Sequence, residues 1–382
     1  MPNVHVNSIQ GIDQDLLSKL SASQFCTAKD ILFASDLDLI EILHVSKSQA
    51  IKLRHDVSAY VCPPRVSALE LKMAVRVSLH LGLPTLDASM RCGVPAGGIT
   101  ELVGSAGVGK SQTCFQLALM TSAPLDCGGI GASVIYIDTE RKFSSTRLSE
   151  MARCRFPHQL IPGSAALSNM LSRVLLISPT SIEQLMKCLE GLEAGIMQHR
   201  VGLVVLDSIA ALVRSDLSGV SVTSTSVASR SHMGDGRVLN DSLGDSSIVA
   251  RQEVIGQVAS RLKYLAESFK IPVVVTNQVT TRFSDATTAH GFQQQQQLPS
   301  TMDQGHLTAA LGTKWAHCVN VRLVLDRLAE RRFMKVAKSP SSDNIACEYK
   351  ITAQGVEEVF GSQVPVVISN KRNILAMTIE ND

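Results

Sequence analysis

The sequence predicts an α/β protein with a mostly parallel central sheet, preceded by a small all-α N-terminal domain. Three observations carry that expectation. After residue 80, short apolar runs alternate with helix-length segments, the rhythm of parallel strands joined by crossover helices. Before residue 60, apolar residues recur at helical spacing and no strand-like run appears. Between the two, Cys62-Pro63-Pro64 ends any helix and suits an extended linker. Composition agrees: 382 residues, 45% hydrophobic and 18% charged, excludes wholesale disorder, a collagen-like fibre and a coiled-coil rod. No run approaches the roughly 18 apolar residues of a membrane helix. The opening MPNVHVNSIQGIDQD lacks the basic and apolar regions of a secretory signal, so no membrane partner is expected.

The N-terminal domain, residues 1–60, begins with helical patterns over 12–22 and 37–45. Ser46 to Gln49 reads as a cap opening a third helix over 50–57. Residues 61–82 form the linker and 83–360 the α/β core. Strands are expected at 99–103, 134–138, 174–178, 203–207 and 273–277, most of them nearly all apolar, as doubly buried strands should be. Helices are expected at 112–120, 145–155, 182–199 and 252–269. In the last of these Val254, Val258, Leu262, Leu265 and Phe269 share one face. Two long polar stretches, about 215–250 and 279–308, follow core strands, where the ligand-binding loops of open α/β sheets lie. The second holds five consecutive glutamines, Gln293 to Gln297, and also reads as a tolerated surface insertion. Residues 361–382 are a C-terminal tail.

Charge is nearly balanced, 36 basic against 34 acidic residues for a net of +2, which neither demands nor excludes a nucleic-acid partner. Nine cysteines without a CxxC pair read as reduced, mostly buried thiols of a reducing compartment.

The chemistry concentrates in four segments. Gly104-Ser105-Ala106-Gly107-Val108-Gly109-Lys110-Ser111 matches G-x-x-x-x-G-K-[ST] at every fixed position, between a predicted strand and a predicted helix. Its glycines let the backbone wrap so that successive N–H groups point at phosphate oxygens. Lys110 should bridge the β- and γ-phosphates of ATP and Ser111 should ligate Mg²⁺. Gln112, next in the chain, is grouped with these nucleotide-binding residues. Asp207 ends the apolar run Leu203-Val204-Val205-Leu206, which places its carboxylate at a strand edge to hold the Mg²⁺ shell. Glu140 lies just beyond the run Val134-Ile135-Tyr136-Ile137-Asp138, on the same sheet edge. It is placed to orient an attacking water, although an exposed acidic turn residue fits the same pattern. Gln278 closes Val274-Val275-Thr276-Asn277 and can contact the γ-phosphate and report it to the following loop, or simply end the strand.

These four segments, in this order, resemble the RecA-type recombinases from about Leu86 to about Val359. The chain's first 60 residues resemble the helical domain of the eukaryotic and archaeal branch. RLKYLAESFKIPVVVTNQVTT, LGTKWAHCVNVRL and the AKSP segment are similar to the B-type paralogues of the eukaryotic strand-exchange recombinase. The resemblance implies a RecA-like P-loop ATPase that binds ATP and Mg²⁺, with Glu140 as catalytic glutamate and Gln278 as γ-phosphate sensor. It implies that Arg147 packs on the adenine and that the two long loops contact single-stranded DNA. It further implies a nuclear DNA-repair subunit, partnered by other recombinase paralogues in a hetero-oligomer. That complex would assist the main strand-exchange recombinase on single-stranded or branched DNA, with weak DNA-dependent ATPase activity alone. An ATP-stabilised assembly scaffold and an autonomous strand-exchange enzyme are the competing readings.

Departures from the family pattern matter. Leu43-His44-Val45 stands where the family has an apolar-Gly-apolar turn, which puts DNA contact by the helical domain in doubt. The F-x-x-A letters of the family's polymerisation plug occur as Phe25-Cys26-Thr27-Ala28 inside the helical domain, so Phe25 is expected in its core and unaided filaments are not expected. Lys338 stands where the main recombinase has an acidic residue and is a candidate to meet γ-phosphate charge on an adjacent protomer. The first long loop is net acidic, with Arg230 and Arg237 against Asp216, Asp235, Asp241 and Asp245, a poor electrostatic grip on DNA.

Overall fold

The computed structural model describes residues 4–9, 11–63, 65–73, 78–91, 93–158, 160, 165–212, 241–282, 306–309 and 311–361. They fall into two compact units, Met1–Val75 and Arg76–Asp382.

The first unit is helical: α1 (Gln14–Ser21), α2 (Ala28–Phe33), α3 (Asp36–Leu43), α4 (Lys47–Val61) and α5 (Ala68–Met73). Three helix starts are fixed by capping boxes, in which a hydroxyl and the third helical residue satisfy each other's backbone N–H. Thr27 pairs with Asp30, Ser35 with Asp38 and Ser46 with Gln49, so the predicted cap at Ser46 is where α4 begins. Helix α2 went unpredicted because six residues are too few to show a helical period. Phe25 lies in the core with Leu20, Ile31, Leu39 and Leu53, as expected. His44 adopts the left-handed conformation, φ 49°, at the C-terminus of α3, so the turn keeps a glycine-like backbone despite its Cβ. The linker is not wholly extended: α5 forms within it, its start held by Ser67 and Glu70 exchanging backbone contacts at 2.6 and 3.1 Å.

In the second unit a short pair, β1 (Ser78–Leu79) with β2 (Val94–Pro95), flanks α6 (Pro84–Ser89). The main sheet contains β3 (Ile99–Gly104), β4 (Ser133–Asp138), β5 (Val174–Ile177), β6 (Val201–Asp207), β7 (Val273–Arg282), β8 (His306–Ala309), β9 (Val321–Leu328), β10 (Arg331–Lys338), β11 (Ala346–Thr352) and β12 (Gly355–Glu358). Its order is β12-β11-β10-β9-β3-β7-β6-β4-β5, with β8 paired to β7. From β9 to β5 every neighbouring pair is parallel; β10, β11 and β12 add an antiparallel extension. The crossover helices are α7 (Lys110–Ser122), α8 (Ser145–Arg155), α9 (Ala166–Ser172), α10 (Ile182–His199) and α11 (Asp241–Phe269), followed by α12 (Gly312–Cys318).

Strand alternation sorts the core into two layers. One packs Leu102, Tyr136, Val205 and Val274 against Phe115 and Leu119 of α7; the other packs Ile99, Ile137, Val204 and Val273 against Leu189 of α10 and Leu262 of α11. The predicted apolar face of 252–269 supplies Val258, Leu262 and Leu265 to this second layer. Chain order reverses at β3, because β4 lies to one side and β9 to the other. Open α/β sheets bind ligands at the strand C-termini of such a switch point.

Several boundaries differ from expectation. Residues 241–250 are not loop but the first turns of α11, so Asp241 and Asp245 belong to a helix. The second loop is shortened at both ends by the antiparallel pairing of β7 with β8. Arg230, Arg237, Asp216, Asp235, the glutamine run and the tail from 362 lie outside the described residues. Cysteines are less buried than expected: among the eight described, all free, Cys114 and Cys347 are buried while Cys26 and Cys62 are exposed.

Candidate nucleotide site

The site is built where β3 turns into α7. Gly109 has φ +112°, and a Cβ there would meet Ile351 Cδ1 at 2.9 Å, so this position takes glycine on both conformational and steric grounds. From β11, the buried Tyr349 hydroxyl donates to the Val108 carbonyl at 2.6 Å and props the loop from outside. The loop then delivers Lys110 and Ser111 to the start of a 13-residue helix, whose free N–H groups and dipole favour an anion. Lys110 Nζ donates to the Gly104 and Ser105 carbonyls, each at 2.8 Å. Burial lowers the Lys110 pKa, against the pull of the nearby Asp207 and Glu140 carboxylates.

The ends of β4 and β6 and the middle of β7 supply the rest; Gln278 does not close its strand as expected, because β7 continues to Arg282 in its pairing with β8. Asp207, at the end of β6, accepts from Tyr136 Oη at 2.8 Å through Oδ2 and from Thr276 Oγ1 at 2.5 Å through Oδ1. Each oxygen keeps acceptor capacity for a further partner. Glu140 Oε1 accepts from Ser208 Oγ at 2.6 Å and from Gln278 Nε2 at 3.1 Å, while Oε2 is paired with Lys142. Burial alone would raise the Glu140 pKa; the Lys142, Ser208 and Gln278 contacts outweigh it and hold the carboxyl below its ordinary value. The turn carrying Glu140 is fixed by Asp138, whose two oxygens accept from the N–H groups of Glu140 and Phe143 at 3.1 and 2.8 Å.

These side chains surround a cavity of about 260 Å³ lined by Ala106, Gly107, Gly109, Lys110, Ser111, Gln112, Glu140, Lys142, Asp207, Ser208, Thr276, Gln278 and Ile351. A glycine cradle, a helix N-terminus, a lysine and a carboxylate beside a hydroxyl fit a magnesium-bound nucleoside triphosphate. Gly104, Ser105 and Val108, also expected at the site, belong to the loop but do not line this cavity. Arg147 does not line the cavity. Its guanidinium donates to Gln112 Oε1 at 2.9 Å, Thr352 O at 2.5 Å and Glu150 Oε2 at 2.8 Å, which places it one residue behind the wall. Lys338 spends its ammonium within its own chain, on the Ala316 and Val319 carbonyls at 2.9 and 2.6 Å, where it caps the last turn of α12.

The Rad51 family model matches residues 72–233 and 236–359. The chain belongs to the Rad51 family. A second model, the XRCC3/RpoA-like helix-hairpin-helix domain, matches residues 7–61. The chain is 36% identical to the DNA repair protein RAD51 homolog 2 of Arabidopsis thaliana, over 91% of its own length and 88% of that protein. It is 34% identical to the protein of the same name from Mus musculus, over 91% and 95%, and 32% identical to that from Homo sapiens, over 91% and 87%. The resemblance read from the motifs is thereby shown, and so is the RecA-like sheet with its helical N-terminal domain.

Within this Rad51-family site, sequence reasoning missed Tyr136, Thr276, Ser208 and Lys142 as functional neighbours. Tyr136 and Thr276 were legible only as polar positions inside apolar strands. Lys142, two residues after Glu140, carried no sequence signal of its own.

The low Glu140 pKa gives a signed prediction. Folding favours the ionised carboxylate, so its contribution to stability is complete above the ordinary glutamate value of 4.5 and is lost as pH falls through the lower folded value. In urea unfolding across pH, the stability gap between wild type and Glu140→Gln should be constant at neutral pH and narrow in acid. A gap that widens in acid contradicts the assignment.

Proposed function

We propose that this chain is an ATP-binding recombinase paralogue acting in homologous-recombination repair of DNA double-strand breaks. It works in the nucleus as a subunit of a heteromeric paralogue complex that assists the main strand-exchange recombinase on single-stranded or branched DNA. The observation that carries this reading is the meeting of Lys110, Ser111, Asp207, Glu140 and Gln278 around one cavity in a Rad51-family chain. Its relatives bear the name DNA repair protein. Support for a nucleus-based role comes from that family membership.

Each residue then has a task. Residues 104–112 wrap the triphosphate, with Lys110 neutralising its β- and γ-phosphates. Ser111 and Asp207 hold Mg²⁺, which when bound draws charge off the phosphates. Tyr136 and Thr276 keep the Asp207 carboxylate aimed into the cavity. Glu140 would position a water for attack, and Gln278, bonded to Glu140, would sense the γ-phosphate. Arg147 supports the adenine side through Gln112. In calorimetric titrations Lys110→Ala should abolish ATP binding while the protein stays folded; an unchanged affinity would sink the assignment.

One observation favours a second reading, in which ATP joins subunits and turnover is incidental. Glu140 is ion-paired with Lys142 and bonded by Ser208, which makes it a weak base. The ATPase activity expected of the chain alone is accordingly slow. Glu140→Gln separates the readings when assembly with paralogue partners and repair activity are scored together. A scaffold retains both, whereas a machine driven by turnover keeps assembly and loses repair.

A further inference from the structure

On the sheet face opposite α7 lies a buried polar cluster that the nucleotide chemistry leaves unused. At its centre is Glu101 of β3, fully buried. Strand alternation puts it on the face of Ile99, in the layer packed by α10 and α11. Its Oε2 accepts from Arg322 Nε of β9 at 2.6 Å. Its Oε1 accepts twice, from Asn277 Nδ2 of β7 and from the indole Nε1 of Trp315 in α12, both at 2.7 Å. Three adjacent strands and a helix therefore meet at one carboxylate, and all four residues are buried.

Packing alone is a poor account of this cluster. A buried ion pair is a weak stabiliser, because an apolar set of the same volume is often as stable or more so. The cluster is also incompletely satisfied: Asn277 Oδ1 and Arg322 Nη2 have no hydrogen-bond partner among the described residues. Buried polar atoms left without partners carry a desolvation cost, so the Asn277 amide, bonded through Nδ2 alone, is not held by a complete set of side-chain bonds.

The position of the cluster says what would move it. Asn277 immediately precedes Gln278, and the two side chains point to opposite faces of β7. Glu101 lies three residues before Gly104, and Gly104 pairs with Gln278 in the β3–β7 register. We propose that Glu101 is a positioning residue that couples the state of the γ-phosphate at Gln278 to helix α12, with Trp315 as the receiving group. The coupling rests on the nucleotide reading given above. Drawing Gln278 toward a phosphate turns its strand neighbour Asn277. Because Asn277 and Trp315 share Oε1, a change in one bond alters the other. Lys338 grips the last carbonyls of α12, so the helix receives the change as a fixed unit.

The chain contains one tryptophan, so its intrinsic fluorescence reads this cluster without a label. The full chain is titrated with Mg²⁺ and a slowly hydrolysed ATP analogue, and separately with Mg²⁺ and ADP. Displacement of a fluorescent nucleotide, followed in parallel samples, reports occupancy. A saturable change in Trp315 emission is expected with the triphosphate and not with ADP at equal occupancy. Asn277→Ala should keep occupancy and lose the triphosphate-specific change. Identical emission for the two nucleotides at full occupancy overturns the coupling, as does an unaltered response in folded Asn277→Ala. Should that variant not fold, the wild-type comparison decides alone. Binding without an emission response sinks this inference and leaves the nucleotide site standing; failure to bind either nucleotide removes both.

Discussion

The parallel register of β3, β7, β6 and β4 is the constraint on which the site depends. It aligns Gly104 with Gln278 and Asp138 with Asp207, so β3, β4 and β6 end together beside Gln278 of β7, which continues to Arg282. Side chains alternate faces along a strand, so a slip of one residue in β6 would send Asp207 away from the P-loop and its apolar neighbours into the wrong layer. The same alternation divides β7, where Thr276 and Gln278 serve the nucleotide side while Asn277 serves the opposite layer. Register is enforced by burial, since Val204, Val205, Leu206, Val273, Val274 and Val275 are all fully buried and every one would change face together.

Support for the edge comes from the antiparallel extension and from the strand beside β3. The antiparallel strands β10 to β12 bring Tyr349 against the P-loop carbonyl and Ile351 against Gly109. Beneath β3, the Glu101–Arg322 pair ties the P-loop strand to β9. Breaking a buried pair of this kind costs about 3–5 kcal/mol. That is a large part of the about 5–15 kcal/mol that holds a domain folded. The pair therefore helps fix where β3 sits.

How much could be read from the chain follows from what leaves a local mark. The P-loop did, because glycine spacing and a following helix are local requirements. Five of the six parallel strands did, because their cores are apolar runs, although β5 proves to be a half-exposed edge strand and β9, apolar over Val321 to Leu325 apart from Arg322, went unpredicted. Glu101 did not: a single carboxylate in ITELVG looks like an exposed strand residue until Arg322, Trp315 and Asn277 are brought to it from more than 170 positions away. The contacts of Lys338 with α12 were illegible for the same reason, because they depend on where that helix ends. The antiparallel strands β10 to β12 went unpredicted since polar residues such as Arg331, Lys335 and Glu348 interrupt their apolar pattern. Helix α2 was too short to show a period, and the start of α11 was hidden by Ser, Gly and Asp, which favour loops.

The central claim is that the strand register aims Asp207 at a magnesium-bound nucleotide. Calorimetric ATP titrations of wild type and Asp207→Asn, each with and without Mg²⁺, test it most directly. The account predicts tighter wild-type binding with the metal and, in the variant, an affinity that Mg²⁺ no longer improves. The same gain from Mg²⁺ in both proteins would contradict it.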